Sequence, residues 1–288
     1  MKDFEHNNAR TRTGGRTDYR NAGTAPAARI TVEENLSINR EYKTPKPIPF
    51  NGLLTNKLLA ALPGAEFARL LPHLEPVSFT SGQALYKFGA EVDFVYFPET
   101  AIISHLYFLE DGSTTGAAIV GREGMIGLSA LLGSRPPSHW THVTVGGSAI
   151  RVLTDTIKQE FARGAALQNL LLSYTSARLA QLSQRAVCNV RHTVEERLAT
   201  WLLMIDDRAS DEQLPLTHEE IAHHLGARRA GITTACNALR DSEIIDYHRG
   251  LIRIQDRRRL EESACECYGT LRQTSEKPLT ESDKRNVR

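Results

Sequence analysis

Residues 217–239 read THEEIAHHLGARRAGITTACNAL, and the rest of the chain is read outward from this stretch. Thr217 followed three residues later by Glu220 makes a capping box, in which hydroxyl and carboxylate each take a backbone N–H left free at a helix start. Ile221, Ala222 and Leu225 continue it as an apolar stripe at helical spacing. Gly226 follows, where a chain leaving a helix turns at positive φ without a Cβ clash. A second periodic run carries Ile232, Ala235 and Leu239, and small Ala222 lets the two helices cross closely. Arg228, Arg229, Thr233, Thr234 and Asn237 are left projecting outward. Two arginines at a helix start oppose its dipole, so a polyanionic partner is the expected reason for them. A small residue, a glycine four later and a β-branched residue six after that form the helix-turn-helix pattern, whose second helix enters a DNA major groove. An ordinary helical hairpin is the plain alternative. Against it, residues 244–248, the turn Arg249-Gly250 and residues 251–254 alternate as a β-hairpin, which makes the module a winged helix.

The chain has 288 residues, room for two domains and tails, and its hydrophobic content of 41% fits globular domains. No apolar run approaches a membrane span, and the N-terminus has no apolar signal-peptide core, so a cytoplasmic location and no membrane partner are expected. Net charge is +1, but its distribution is uneven. From 228 to 259 there are eight arginines against Asp241, Glu243, Asp246 and Asp256, the local basic character of a phosphate-contacting module. The cysteines are Cys188, Cys236, Cys265 and Cys267, with no CxxC spacing among them. Cys265-Glu266-Cys267 is open to a metal or thiol-switch reading. Two small side chains on the last helix of a cytosolic protein are the preferred reading, so no metal and no cofactor are expected.

Upstream, residues 1–48 lack periodicity and read as a disordered tail. Leucines from 53 to 62 mark a helix stopped by Pro63-Gly64, and a second short helix follows. Residues 77–153 change to short β-rich runs between glycines and turns, the texture of a β-roll or jelly roll. Thr154-Asp155 is placed to cap a new helix, broken at Gly164. A long helix then runs from about 166 past 190. On it Leu172, Thr175, Leu179, Leu182, Ala186 and Asn189 step by threes and fours as a heptad-like seam, expected to bind a second copy because one helix-turn-helix reads only a half-site. The fold class expected is α+β: a β-roll sensor at 49–153 (a double-stranded β-helix, or jelly roll), connecting and dimerisation helices at 154–191, a winged helix-turn-helix at 192–268 and a C-terminal tail at 269–288.

In that order of parts, and in the stretch LTHEEIAHHLGARRAGITTACNALRDSEIIDYHRGLIRIQD, the chain resembles the Crp/Fnr superfamily of bacterial transcription regulators over about residues 50–265. VYFP and VGREGMIGL carry the likeness into the β-roll. The resemblance implies a homodimer on a palindromic operator in double-stranded DNA, acting on RNA polymerase. Many members begin the recognition helix with Ser-Arg-Glu-Thr-Val and place an arginine two residues on. Here 228–232 read RRAGI and Thr234 holds the later arginine position. Arg229 keeps the fork that pairs with guanine O6 and N7, while Ala230 replaces the base-reading glutamate, so a different operator is expected. Arg228, Thr217, Thr233 and Arg249 are expected at phosphates.

Members that bind cAMP use a Gly-Glu pair and an arginine in the β-roll. Here Gly127, Leu128 and Ser129 stand in that cassette, and Arg135 lies about three residues from the expected arginine position. A buried phosphate without a cation is strongly disfavoured, so cAMP is not expected to bind in the usual way and the effector stays open. The N-terminal cysteine cluster of an iron–sulfur sensor is absent. His105, His139 and His142 read as ordinary histidines rather than haem ligands. No nucleophile–base pair or phosphate-cradling loop stands out, so an enzyme is not expected. The alternative from another class is a ligand-binding or protein-interaction module with the helix-turn-helix as scaffold.

Overall fold

The computed structural model describes residues 45–48, 54–133 and 136–276. Most of the expected N-terminal tail lies outside the described residues, and so does Arg135. Among the described residues no helix is long and apolar enough to cross a membrane.

A short strand β1 (Lys46–Pro47) precedes helix α1 (Lys57–Ala60) and helix α2 (Gly64–Leu70), which runs into a 3-10 turn at Leu71–His73. α1 is much shorter than the leucine spacing suggests, because buried Asn56 starts it late. Its side chain accepts from the N–H groups of Leu58 and Leu59 and donates to the carbonyls of Pro98 and Gly124. Seven strands follow: β2 (Glu75–Phe79), β3 (Ala84–Tyr86), β4 (Phe94–Pro98), β5 (Ile102–Phe108), β6 (Thr114–Val120), β7 (Trp140–Val145) and β8 (Gly147–Leu153), with helix α3 (Leu128–Leu132) between β6 and β7. They form two antiparallel four-stranded sheets, ordered β1-β2-β8-β4 and β3-β7-β5-β6. Val77, Tyr96 and Ala149 of the first sheet meet Leu85, Ile103, Val120 and Val143 of the second in one core. This is the β-roll that the strand pattern implies.

Helix α4 (Thr154–Ala162) leads to the 26-residue α5 (Ala166–Arg191) and then α6 (Val194–Asp206). Thr154 does not cap α4: its hydroxyl donates to the Val92 carbonyl in the β-roll instead. Gly164 turns the chain between α4 and α5 at φ 71. β9 (Gln213–Pro215), α7 (His218–Leu225), α8 (Arg229–Asp241), β10 (Ile245–His248), β11 (Leu251–Ile254) and α9 (Arg257–Ser263) complete a winged helix, the three strands ordered β10-β11-β9. The last helix, α10 (Cys267–Glu276), covers residues 269–276 that the sequence pattern places in a tail. It packs on α5 and α6 through Tyr268 and Leu271.

The β-roll and the winged helix share one core, because Ile102, Ile119 and Val145 join Trp201, Leu202 and Leu225 in a single buried cluster. A buried ion pair crosses the same boundary. Arg208 Nε lies 2.7 Å from Glu123 Oε1, with side chains only 6% and 9% exposed. Burial works to raise the Glu123 pKa, but the Arg208 guanidinium together with the backbone N–H groups of Glu123 and Gly121 outweighs it, so the carboxyl titrates below the ordinary glutamate range. Replacing Glu123 by Gln strands a buried cation, and a loss of about 3–5 kcal/mol in urea-unfolding stability is expected at neutral pH. The pair's stabilisation is present above the ordinary glutamate value and is lost as pH falls through the depressed folded one. The gap between wild type and Glu123→Gln should therefore close in acid.

Candidate nucleic-acid interface

α7 begins at the capping box read from the sequence: Thr217 Oγ1 accepts from the Glu220 N–H, and the Glu220 carboxylate accepts from the Thr217 N–H. Ile221, Ala222 and Leu225 are buried. Gly226 ends the helix in the left-handed region at φ 57, and the Ala227 N–H reaches back to the Ala222 carbonyl. Arg228 then precedes α8 in extended conformation, and its side chain caps nothing. α8 buries Ile232, Ala235, Cys236 and Leu239 and turns Arg229, Ala230, Gly231 and Thr234 to solvent.

The first turn of α8 holds no acid, so the positive end of its dipole faces two arginines. Arg229 is 71% exposed and only loosely tied, 3.7 Å from Glu219. Thr234 returns its hydroxyl to the Ala230 carbonyl. Thr233 is less available than its spacing suggests: its hydroxyl bonds to the Arg229 carbonyl and lies 3.0 Å from His218 Nδ1. Asn237 is half-buried one turn further on. The wing turns at Arg249 and Gly250 with φ 49 and 80, the double positive-φ turn that suits a two-residue hairpin. Arg249 is thereby an exposed arginine at the wing tip. The wing is braced against α7: Tyr247 stacks on His218 at 4.3 Å, and the Leu216 N–H donates to the Gly250 carbonyl.

This module sits on the β-roll through α7. His224 is buried, its ring stacked on Trp201 at 5.0 Å and facing His142 at 5.6 Å, with Nε2 3.4 Å from Thr144 Oγ1. Arg185 of α5 donates to the carbonyls of His224 and Gly116. Gly116 has to be glycine here, since a Cβ would come within 2.9 Å of the His224 ring.

Gly127, Leu128 and Ser129 line a cavity of about 280 Å³ between the β-roll and α5. Gly127 is at φ 96 and Leu128 opens α3. His105 and His139 form one wall in edge contact at 4.2 Å, whereas His142 faces away toward His224. Thr175, Leu179 and Leu182, read from the sequence as dimer seam, line the same cavity. Arg178 lies among them and donates to the Ile119 carbonyl and the Gln181 amide oxygen. The sequence reading overlooked this cation because its helix face was assigned wholly to a partner; its spacing from Thr175 and Leu182 was the available signal. The reading also set the CxC pair aside. Among the described residues Cys188, His192, Cys265 and Cys267 converge, with ligand atoms within 4.8 Å of one another.

Burial, then the neighbouring His139 and Arg178, push the His105 pKa well below the ordinary histidine value of 6.5. A ring neutral in the fold but charged when unfolded stabilises the protein above 6.5, and this is lost as pH falls toward the folded value. His105→Gln should therefore flatten the decline in melting temperature between pH 7 and about pH 5, as read by circular dichroism.

The family described as the Crp-like helix-turn-helix domain matches residues 196–263. Solved structures share the wider architecture. FixK2 from Bradyrhizobium japonicum aligns with a TM-score of 0.58 at 20% identity, over 67% of this chain and 98% of that one. A putative crp/fnr-family transcriptional regulator from Eubacterium rectale gives 0.58 at 18% identity, over 71% and 96%. TTHA1359, a CRP/FNR-family transcriptional regulator from Thermus thermophilus, gives 0.53 at 21%, over 66% and 98%. No curated protein sequence matches. Residues 196–263 thus match the Crp-like helix-turn-helix domain, and the fold around them is similar to that of solved structures described as crp/fnr-family transcriptional regulators.

Proposed function

We propose that the protein regulates transcription as a homodimer on a two-fold-symmetric operator, with Arg229 reading a base. The observation that carries this reading is α8 itself: an exposed helix start with two arginines, no acid in its first turn and small residues beside them. That surface suits entry into a major groove, where an arginine fork pairs with guanine O6 and N7. Ala230 has no polar side chain to read a base, so specificity rests on Arg229, with Thr234 and Asn237 beyond it. Arg228 and Arg249, exposed on either side of the helix, take phosphates in this reading, and Thr217, whose hydroxyl donates to the Glu220 carboxylate, contributes by capping α7. Thr233, tied to His218, contributes by bracing α7 against α8.

The dimer seam is supported by exposure. Leu172, Leu179 and Leu182 are 47%, 61% and 41% exposed on α5, a row of leucines left open to water in one chain. A second copy of α5 would cover them. The output follows from position on DNA: the dimer recruits or blocks RNA polymerase at promoters carrying its operator. For the sensor, we propose a ligand other than cAMP in its usual pose. Leu128 has no carboxylate for a ribose, and the cavity has aromatic and imidazole walls with Arg178 as its cation. Occupancy would act on dimer geometry directly, since Thr175, Leu179 and Leu182 belong to both cavity and seam.

An operator selected from random DNA by the full-length protein supplies the test. Arg229→Ala is expected to weaken that site by about 1–3 kcal/mol and relax preference at one base pair of each half-site. Arg228→Ala should weaken specific and non-specific DNA alike and lower the salt slope by about one. Unchanged binding by Arg229→Ala would favour the scaffold alternative. Separately, Leu179→Glu should shift the protein from dimer to monomer in sedimentation and remove the two-fold symmetry of the selected motif.

A further inference from the structure

We infer that Cys188, His192, Cys265 and Cys267 form a tetrahedral zinc site that clamps the joint between the long helix and the DNA-binding module. This inference is independent of the operator reading. Cys188 lies in the last turn of α5, and His192, four residues on, is the extended residue at which α5 stops before Thr193 caps α6. Cys265 and Cys267 come from the other side, just before α10 and at its first residue. All three cysteines are free and buried.

The separations suit one ion. Zinc with Zn–S near 2.3 Å and Zn–N near 2.0–2.1 Å places tetrahedral S–S edges at about 3.8 Å and S–N edges at about 3.6 Å. Cys188 Sγ lies 3.6 Å from Cys265 Sγ, and Cys267 Sγ lies 3.6 Å from His192 Nδ1. The sulfurs are far outside the ~2.05 Å of a disulfide, and edges this short suit a single ion rather than a multi-iron cluster. Three sulfurs and one imidazole form a closed set, which favours a structural zinc over a catalytic one with an open position.

The surroundings are those of a ligand shell. His192 presents Nδ1 inward, and its Nε2 lies 3.2 Å from the Glu266 carboxylate, the outer partner that fixes tautomer and ring orientation in zinc-bound histidines. The Gln184 amide donates to Cys267 Sγ at 3.0 Å, and the Thr200 hydroxyl lies 3.1 Å from Cys265 Sγ, both placed to support thiolates. Three thiolates on Zn²⁺ leave one net negative charge, and the guanidiniums of Arg185 and Arg197 are close enough to Cys188 to offset it. Binding displaces three thiol protons to solvent, so affinity rises with pH. With the ion in place, α5, the α5–α6 joint and α10 are held at one point, which sets how the winged helix leaves the long helix.

The full-length protein, stripped of metal under reducing conditions, would be titrated with Co²⁺ and then Zn²⁺. Expected are a thiolate-to-cobalt charge-transfer band and intense visible bands that saturate at one equivalent per chain and are bleached by Zn²⁺. Cys188→Ser or Cys265→Ser should cut the charge-transfer intensity by about a third, whereas Cys236→Ser, a buried cysteine elsewhere, should change nothing. Glu266→Gln alters an exposed side chain and so spares folding; it should weaken Zn²⁺ about 10–100-fold without moving the melting temperature of the metal-free protein. Cobalt bands lacking thiolate charge transfer, a spectrum that survives the triple cysteine-to-serine variant, or zinc affinity unmoved by Glu266→Gln would each overturn the assignment.

Discussion

The contact between α7 and the β-roll governs the arrangement of everything downstream. His224 is held between Trp201 of α6 and the β6–β7 surface, and Gly116 is the gap into which it fits. Around it the apolar core runs without interruption from Ile102 and Ile119 in the roll to Leu239 and Leu260 in the winged helix. A buried ring with its nitrogen near a hydroxyl tolerates little displacement, because both the apolar area and the polar partner would be lost together. The Arg208–Glu123 pair repeats that logic a short distance away: each charge is tolerable inside only while the other is there. The exposed start of α8, with Arg228 and Arg229 outward, is thus presented from a fixed base.

α5 is the element shared by every function considered. One face buries Leu167, Leu170, Leu171 and Tyr174 against the β-roll and its helices. A second carries the exposed leucines, and the boundary between the two borders the cavity that holds Arg178. Its last turn carries Cys188, and its end is His192. Ligand, partner helix and metal would therefore act on the same rigid rod at different heights.

Much of this was legible in local sequence. The capping box at Thr217 and Glu220, the left-handed Gly226, the Arg249-Gly250 turn and the course of α5 and α6 depend on residues within a few positions of one another, and all are present in the structure. Local reading failed where a distant partner took over a group. The Thr154 hydroxyl goes to Val92 rather than to its own helix, and the Thr233 hydroxyl meets His218 rather than solvent. α10 escaped because its polar composition gives no stripe; buried Cys267, Tyr268 and Leu271 anchor it on α5 and α6.

By itself the sequence determined the kind of module at each position along the chain, since caps, turns and periodicity are properties of neighbours. It also placed two arginines at a helix start, where the helix dipole disfavours them. Tertiary structure alone decided which groups from distant segments share a site. Cys188 meets Cys265 across 77 positions, Arg178 turns from a helix-face residue into the cation of a cavity, and His224 becomes the seat of one module on another. The physical reason is that burial and three-dimensional proximity, unlike capping and turn geometry, are set by how whole helices and sheets pack, and no spacing of four or seven residues encodes them.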